Sequence, residues 1–294
     1  MRIAVTGASG LVGRALVQLA HRRGHEVVAF SRHLEKPQDW TVETRAFVPD
    51  QVPDFRGCEA IVHLAGEPIM GLWTPAKRRA IFDSRIHGTR QVIEGIRQLD
   101  QKPEVLVSSS AIGYYGEAGD AELDEKSRPG HGFLAETCVA WEREALAAWE
   151  LGVRVVPLRT SVVLARGGGA LKLMAPVFRW GLGGVIGSGR QWMSWIHLED
   201  LARLALFAAE DLDLRDTVNA TAPWPIRHRD FVQILAKLVH RPAFFHVPAW
   251  AVRLILRGLS AELLESKRVV PATATTHGFG YHFPELEPAL RDLL

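Results

Sequence analysis

The residues best placed to do chemistry come first in the chain. Gly7, Gly10 and Gly13 lie in the run Thr6-Gly7-Ala8-Ser9-Gly10-Leu11-Val12-Gly13, the spacing TGxxGxxG. A dinucleotide diphosphate needs backbone N–H groups that it can approach closely, with the positive end of a helix behind them. Gly7 would allow the tight turn, Gly10 the close approach, and Gly13 the packing of helix against strand. The run has the context that this chemistry requires. Ile3-Ala4-Val5 before it reads as a buried strand, and Leu11, Val12, Leu16, Leu19 and Ala20 after it as one face of a helix.

A second pair of residues bears on which dinucleotide would fit. Glu26-Val27-Val28-Ala29-Phe30 reads as the next buried strand, and Ser31-Arg32 follows it, then His33, with no acid before Glu35. At that point an Asp or Glu would accept hydrogen bonds from both ribose hydroxyls, whereas a basic residue meets a 2′-phosphate. The planar, multi-donor guanidinium suits a phosphate. NADP(H) is therefore favoured over NAD(H).

The elements that must position these residues alternate along the chain. Residues 36–57 read as irregular, punctuated by Pro37, Pro49 and Pro53. A strand at Ala60-Ile61-Val62-His63 runs into Leu64-Ala65-Gly66, and a helix from Thr74 to Leu99 has Pro75 in its first turn. Val105-Leu106-Val107, a helix over Phe133 to Glu150, and the strand Val153-Arg154-Val155-Val156 follow. This alternation predicts an α/β fold, a Rossmann-type doubly wound parallel sheet that takes its ligand at the carboxyl ends of the strands. From Gly167 the pattern turns to glycine-rich loops, short strands at Trp195-Ile196-His197 and Val218-Asn219-Ala220, and helices over 198–210, 229–239 and 248–264. The expected organisation is a dinucleotide-binding domain over 1–166, with further elements from about 190–222. A smaller, mainly helical C-terminal substrate lobe over 167–294 would share a core with it.

Composition narrows the partners. The 294 residues include 35 basic and 33 acidic ones, interspersed, for a net charge of +2, so no basic stripe suggests nucleic acid. No apolar run reaches the roughly 18 residues of a membrane span. Cys58 and Cys138 are the only cysteines and have no metal-ligand spacing, so no metal is expected. With the first strand expected at residue 3, no room is left for a signal or transit peptide, and a reducing, cytoplasmic location is expected.

Taken as a set, these residues resemble the extended short-chain dehydrogenase/reductase superfamily, which includes sugar-nucleotide epimerases and dehydratases. The carriers are the glycine run, His63-Leu64-Ala65-Gly66, Gly88-Thr89, Ser108-Ser109-Ser110-Ala111, Tyr115-Gly116 and Trp195-Ile196-His197-Leu198-Glu199-Asp200. Within it the chain is similar to the atypical "epimerase family protein" group, through Ser110 to Gly116, Phe133-Leu134-Ala135-Glu136, Trp141-Glu142, Arg241-Pro242 and Pro284-Glu285-Leu286. The resemblance implies a cofactor-binding set of Gly7, Ser9, Gly10, Leu11, Val12, Gly13, Ser31, Arg32, Leu64, Ala65, Gly66, Arg85, Ser108, Ser109 and Val162. In that set Leu64 to Gly66 line the nucleotide, Ser108 to Ser110 border the nicotinamide, and Val162 lies beside it. Arg85 stands where the superfamily often has an Asn near the ribose. The resemblance also implies a homodimer. Asp200 reads more simply as a carboxylate at a helix start.

The superfamily moves protons with Tyr-x-x-x-Lys, whose i, i+4 spacing puts both on one helical face; the lysine lowers the tyrosine pKa and holds the ribose. Those slots fall at Leu134 and Cys138, and no Tyr-x-x-x-Lys occurs in the chain. Leu134, Cys138, Trp141 and Ala145 form an apolar face, so Cys138 is expected as a packed thiol. Replacement proton carriers are Tyr114, Tyr115, Glu136 and Ser110; Ser110 and Tyr115, which match superfamily positions near the substrate, are the catalytic expectation. Gly181 to Gly189 and Gln191-Trp192 resemble a sugar-nucleotide loop, and Trp180, Trp192 and Trp195 could stack on a base or sugar. Two functions remain open. One is an NADP(H)-dependent oxidoreductase or epimerase acting on a small hydroxylated or nucleotide-sugar-like molecule. The other is a non-catalytic NADP(H)-binding sensor or partner protein.

Overall fold

Apolar side chains alternate by face along the early strands, and this alternation builds a sheet buried on both sides. The computed structural model describes residues 1–32 and 42–294, apart from the side chains of residues 256 and 257. Seven strands pair in the order Val218–Ala220, Arg154–Thr160, Val105–Ala111, Ala60–His63, Arg2–Thr6, Glu26–Ser31 and Glu43–Ala46. Every pairing in this sheet is parallel. Ile3, Val5, Val27, Ala29, Ala60, Val62, Val105 and Val107 pack on one face with Leu16, Val17 and Ala20 of the Leu11–Arg22 helix, and with the Leu198–Glu210 helix. Ala4, Val28, Phe30, Ile61 and Leu106 pack on the other with Val92, Ile93 and Ile96 of the Pro75–Arg97 helix and Ala145 of the Phe133–Leu146 helix. Each valine, leucine, isoleucine or phenylalanine among them, fully buried, contributes roughly 1.5–3 kcal/mol before entropy is counted, and each alanine less.

Strand order reverses between Arg2–Thr6 and Ala60–His63, so the glycine run opens at the switch point. There the crossovers leave on opposite faces and a crevice forms outside the carboxyl ends. The Pro75–Arg97 helix starts as its sequence dictates: Thr74 caps the Lys77 amide at 3.2 Å and Pro75 occupies the first turn, where no N–H is needed.

Two expectations need correction. Residues 36–57 are not wholly irregular, because Glu43–Ala46 adds the seventh strand at the edge of the sheet. Its sequence, Glu-Thr-Arg-Ala, has no apolar alternation, and an edge strand with solvent on one side does not need one. The second concerns Asp200. Its fully buried carboxylate pairs with Arg203 at 2.8 Å and accepts the backbone N–H groups of His282 and Phe283 at 2.9 and 2.8 Å. The amides it holds therefore belong to the C-terminal segment, not to its own helix. The start of that helix is capped by His197, whose ring accepts from the Glu199 amide.

The C-terminal part has its own core, with Leu164, Phe178, Trp195, Phe231, Leu235 and Leu290 at its centre. Its helices His228–Leu238, Ala249–Leu256 and Leu286–Leu293 are interleaved with short strands. Ala274 and Phe279 leave this part and join the core of the large sheet. Asp200→Ala should therefore cost about 3 kcal/mol, since it strips partners from a half-buried guanidinium and two amides at once. Urea unfolding measures it, and a loss below about 1 kcal/mol would show that Asp200 is not the tie.

Candidate functional site

The crevice is built from close backbone contacts that only glycine permits. Gly7 has φ 68°, in the left-handed region, and a Cβ there would lie 2.9 Å from the Ala65 nitrogen and the Leu64 carbonyl carbon. A Cβ on Gly13 would fall 2.2 Å from the Gly7 oxygen, which nothing in the backbone can yield to. Helix Leu11–Arg22 is thus pressed onto the strand, with no side-chain cap on the amides of its first turn. The Leu64 amide donates to the Thr6 carbonyl and hydroxyl, both at 3.2 Å, so Leu64 to Gly66 line the other wall of the turn.

His63 locks the two strands below this turn. Nδ1 lies 2.7 Å from the Thr6 hydroxyl and Nε2 3.3 Å from that of Thr89. The ring is fully buried with no acid beside it, and burial pushes its pKa down to about 4. Arg32 stands exposed at the end of the second strand, after the buried Ser31. His33 and Glu35 lie outside the described residues.

The Val105–Ala111 strand brings Ser108, Ser109 and Ser110 to the same end of the sheet. The Ser108 hydroxyl is buried without a hydrogen-bond partner, Ser109 is half-buried, and the Ser110 hydroxyl donates to Glu142 Oε1 at 2.6 Å. Glu142 in turn takes both forks of Arg159, Nε to Oε1 and Nη2 to Oε2, each at 2.8 Å. Arg159 Nη1 donates to the Tyr115 hydroxyl at 2.9 Å, and Tyr115 donates to Asn219 Oδ1 at 2.7 Å. Asn219 continues to the Val270 carbonyl at 3.0 Å. The guanidinium also stacks over Tyr114, 3.4 Å from its centroid.

This chain of bonds changes the reading of Ser110 and Tyr115. The two are brought together, but both hydroxyls are engaged within the protein. Burial pushes Tyr115 up to about 12, against the lowering effect of Arg159. Glu136 is exposed on the far side of its helix. In the sequence Glu142 stands out only as a mark of the family resemblance, and Arg159 is not among the expected site residues. The usable signal was a charged residue inside the apolar strand Val-Val-Pro-Leu-Arg-Thr, which needs a buried counter-ion.

The dyad slots are occupied as their side chains suggest. Cys138 is buried, and burial pushes its thiol up to about 12. Leu134 packs with Phe133 and Ile69 against a cluster of Trp73, Ile81 and Leu259. Leu259 belongs to the C-terminal part, which thus covers the tyrosine slot. The same segment brings Glu262 and Lys267. A Cβ on Gly113 would lie 3.3 Å from the Leu134 Cβ and 3.5 Å from Glu262 Oε1, so the carboxylate sits beside the slot. The buried Lys267 ammonium pairs with Glu265 at 2.7 Å and Glu262 at 3.7 Å.

The remaining expectations divide. Val162 begins a strand directly after Arg154–Thr160 and packs partly into the C-terminal core. Trp195 is fully buried in that core and cannot stack on a ligand. Trp192 is sandwiched by Arg227 and Arg268 at 4.0 and 5.0 Å, and Trp180 stands exposed. Among the described residues no cluster of His, Cys, Asp and Glu could hold a metal, and no helix is long and apolar enough to cross a membrane.

Comparison with known proteins gives a consistent result. A model of the NAD dependent epimerase/dehydratase family matches residues 3–220, and one of a domain of unknown function, DUF1731, matches residues 247–293. The chain is 36% identical over 302 residues to the chloroplastic epimerase family protein SDR39U1 homolog of Arabidopsis thaliana, across 100% of this chain and 87% of that protein. The structure of human epimerase family protein SDR39U1 with NADPH superposes with a TM-score of 0.89 at 33% identity, covering 100% of this chain and 99% of that one. The nucleoside-diphosphate sugar epimerase of Corynebacterium glutamicum superposes with a TM-score of 0.82 at 32% identity, covering 100% of this chain and 58% of that one.

The His63 lock has a pH signature. The folded protein holds the ring neutral to about pH 4, while the unfolded chain protonates near its ordinary 6.5. Stability is therefore fully present above 6.5 and lost as pH falls from there towards 4, by on the order of 3 kcal/mol for this one ring. His228, also lowered to about 4 by burial, contributes in the same window. In urea titrations across that range, His63→Gln should show a shallower pH slope than the natural protein, by about one proton; identical slopes would contradict the lock.

Proposed function

The chain belongs to the NAD dependent epimerase/dehydratase family, and from that premise we propose that it binds NADP(H) and carries out hydride-transfer chemistry on a small hydroxylated or nucleotide-sugar-like substrate. The observation that carries the reading is the cradle at the switch point. There Gly7 and Gly13 admit backbone where any Cβ would collide, beneath an uncapped helix start. Such a cradle fits a diphosphate: its amides donate, and the helix end favours negative charge. In this reading Ser9, Leu11 and Val12 supply the amides, the Gly10 amide being held by the Gly7 carbonyl at 2.9 Å while Gly10 allows the close approach, and Leu64 to Gly66 form the facing wall. Ser108 offers its unpartnered hydroxyl to the nicotinamide half, with Ser109 and Val162 beside it. Arg32, exposed after the second strand, takes the 2′-phosphate. The NADPH in human SDR39U1 supports this choice of cofactor. The sugar-nucleotide activity named for the Corynebacterium relative supports the substrate class. When bound, NADP(H) supplies the hydride donor or acceptor.

Proton transfer is assigned away from the expected residues. Ser110 and Tyr115 frame the end of the serine strand, because their hydroxyls are already engaged. Glu262 and Lys267, titratable and beside the Leu134 slot, are the candidates in their place. A second reading, a non-catalytic NADP(H) sensor, is favoured by Leu134 and Cys138 standing where the dyad would be. The two are separated by supplying NADPH with a panel of carbonyl substrates, and NADP+ with hydroxylated and nucleotide-sugar ones, and following nicotinamide absorbance. Turnover that is lost in Glu262→Gln supports the enzyme. Tight NADPH binding without turnover on the panel supports the sensor.

Cofactor choice has its own test. Arg32→Ala should weaken NADPH about ten-fold in a binding titration and leave NADH within about two-fold, the loss of one charge-assisted phosphate contact. Equal effects on the two dinucleotides would remove Arg32 from the 2′-phosphate site.

A further inference from the structure

Arg85, in a wall of the crevice, is a cation without a counter-ion among the described residues. It rises from the Pro75–Arg97 helix, and its Nη1 donates to the carbonyls of Glu67 and Ile81 at 3.0 and 3.1 Å. Nε and Nη2 make no hydrogen bond to any described residue, and no carboxylate lies within ion-pair distance. The charges that could answer it are engaged or absent. Glu67 is paired with Lys77 at 2.6 Å, and the Cys138 thiol, raised to about 12 by burial, carries no charge. A guanidinium stays charged throughout the physiological range, so its free donors are open to acceptors from a ligand in the crevice that displaces water.

Its place selects which part of a ligand. The guanidinium lies over Trp141, 4.9 Å from the ring centroid, and 3.8 Å from where a Cβ on Gly66 would be. Trp141 is one turn along the helix from Cys138, the slot of the dyad lysine, and Cys138 and Arg85 are close enough to influence each other electrostatically. In strand order the sheet runs Glu26–Ser31, Arg2–Thr6, Ala60–His63, Val105–Ala111. With the 2′-phosphate at Arg32 and the diphosphate on the glycine turn, the next steps of about 4.8 Å bring the dinucleotide past Gly66 with its second ribose. A vicinal diol matches two parallel N–H donors.

We propose that Arg85 takes the place of the missing dyad lysine, its free Nε and Nη2 holding the two hydroxyls of the nicotinamide-side ribose. The inference rests on the NADP(H) reading and deepens it. Cys138 carries no cation, and Arg85 approaches it from the neighbouring helix, near enough for the two to interact electrostatically. The diphosphate is left to the glycine turn, so Arg85 is a ribose residue and not a phosphate residue.

A ladder of ligands tests this by binding alone, with no substrate needed. Dissociation constants are measured by calorimetry for adenosine 2′,5′-bisphosphate, adenosine 2′-phosphate 5′-diphosphate, 2′-phospho-ADP-ribose and NADPH. The proteins are the natural chain, Arg85→Met, Arg85→Lys and Arg32→Ala. Arg85→Met should leave the first two ligands within about two-fold and weaken the last two about ten-fold, the size of one charge-assisted bond. Arg85→Lys, which keeps the charge and loses the fork, should recover part of that loss on the same two. Arg32→Ala should weaken all four alike. Binding unchanged on all four in Arg85→Met, a loss already present at the 5′-diphosphate, or an equal loss on all four would each overturn the assignment. Failure of the natural protein to bind any of the four would instead overturn the NADP(H) reading, and this inference with it.

Discussion

A guanidinium and a carboxylate removed from water must answer each other, and Arg159 and Glu142 do so with two bonds of 2.8 Å, each side chain under a tenth exposed. Such a pair adds little net stability over an apolar one, but breaking it leaves a buried charge at a cost of about 3–5 kcal/mol. That constraint fixes positions. Glu142 sets the Phe133–Leu146 helix against the Val105–Ala111 strand through Ser110, and Arg159 sets the next strand. Tyr115 and Asn219 carry the same network to the Val218–Ala220 edge strand and on to Val270 in the C-terminal segment. The end of the sheet that forms the crevice is therefore held by polar bonds that cannot be broken singly at low cost.

The consequence for chemistry is that this end of the serine strand is a frame. The Tyr115 hydroxyl, which donates to Asn219 and accepts from Arg159, is held in the network, and in the proposed reading it is not the proton donor. In the proposed enzymatic reading, leucine and cysteine in the dyad slots leave the cation and the acid to other residues. The structure offers both from outside the usual helix: Arg85 from the preceding one, Glu262 and Lys267 from the C-terminal segment that closes over Leu134. In the proposed reading the scaffold is kept and its working groups are replaced, with Arg85 close enough to the Cys138 slot to interact with it electrostatically.

What the sequence disclosed depends on range. The glycine run was legible because its requirements are local: a strand, a turn, a helix start, and Cβ-free contact within a few residues. The helix Pro75–Arg97 announced its own beginning through Thr74 and Pro75. The parallel sheet followed from alternation. Glu43–Ala46 was missed because a polar edge strand carries no alternation. The Arg159–Glu142 pair and the hold of Asp200 on His282 and Phe283 span 17 and more than 80 residues, and no local pattern encodes them. Tyr115 resembled a proton donor by position, but its burial depends on Asn219, 104 residues away. Trp195 resembled a stacking platform and is core, since aromatic residues serve both uses equally well by type.

The central claim is that this chain keeps the dinucleotide cradle and has moved the working groups around it. A crystal structure of the NADPH complex tests it most directly. The account predicts the diphosphate on the amides of residues 9, 11 and 12, the 2′-phosphate at Arg32 and the nicotinamide-side ribose on Arg85. It also predicts the Tyr115 hydroxyl still bonded to Asn219 and Arg159. A complex in which Tyr115 has left that network to face the nicotinamide, with Arg85 turned to solvent, would contradict it.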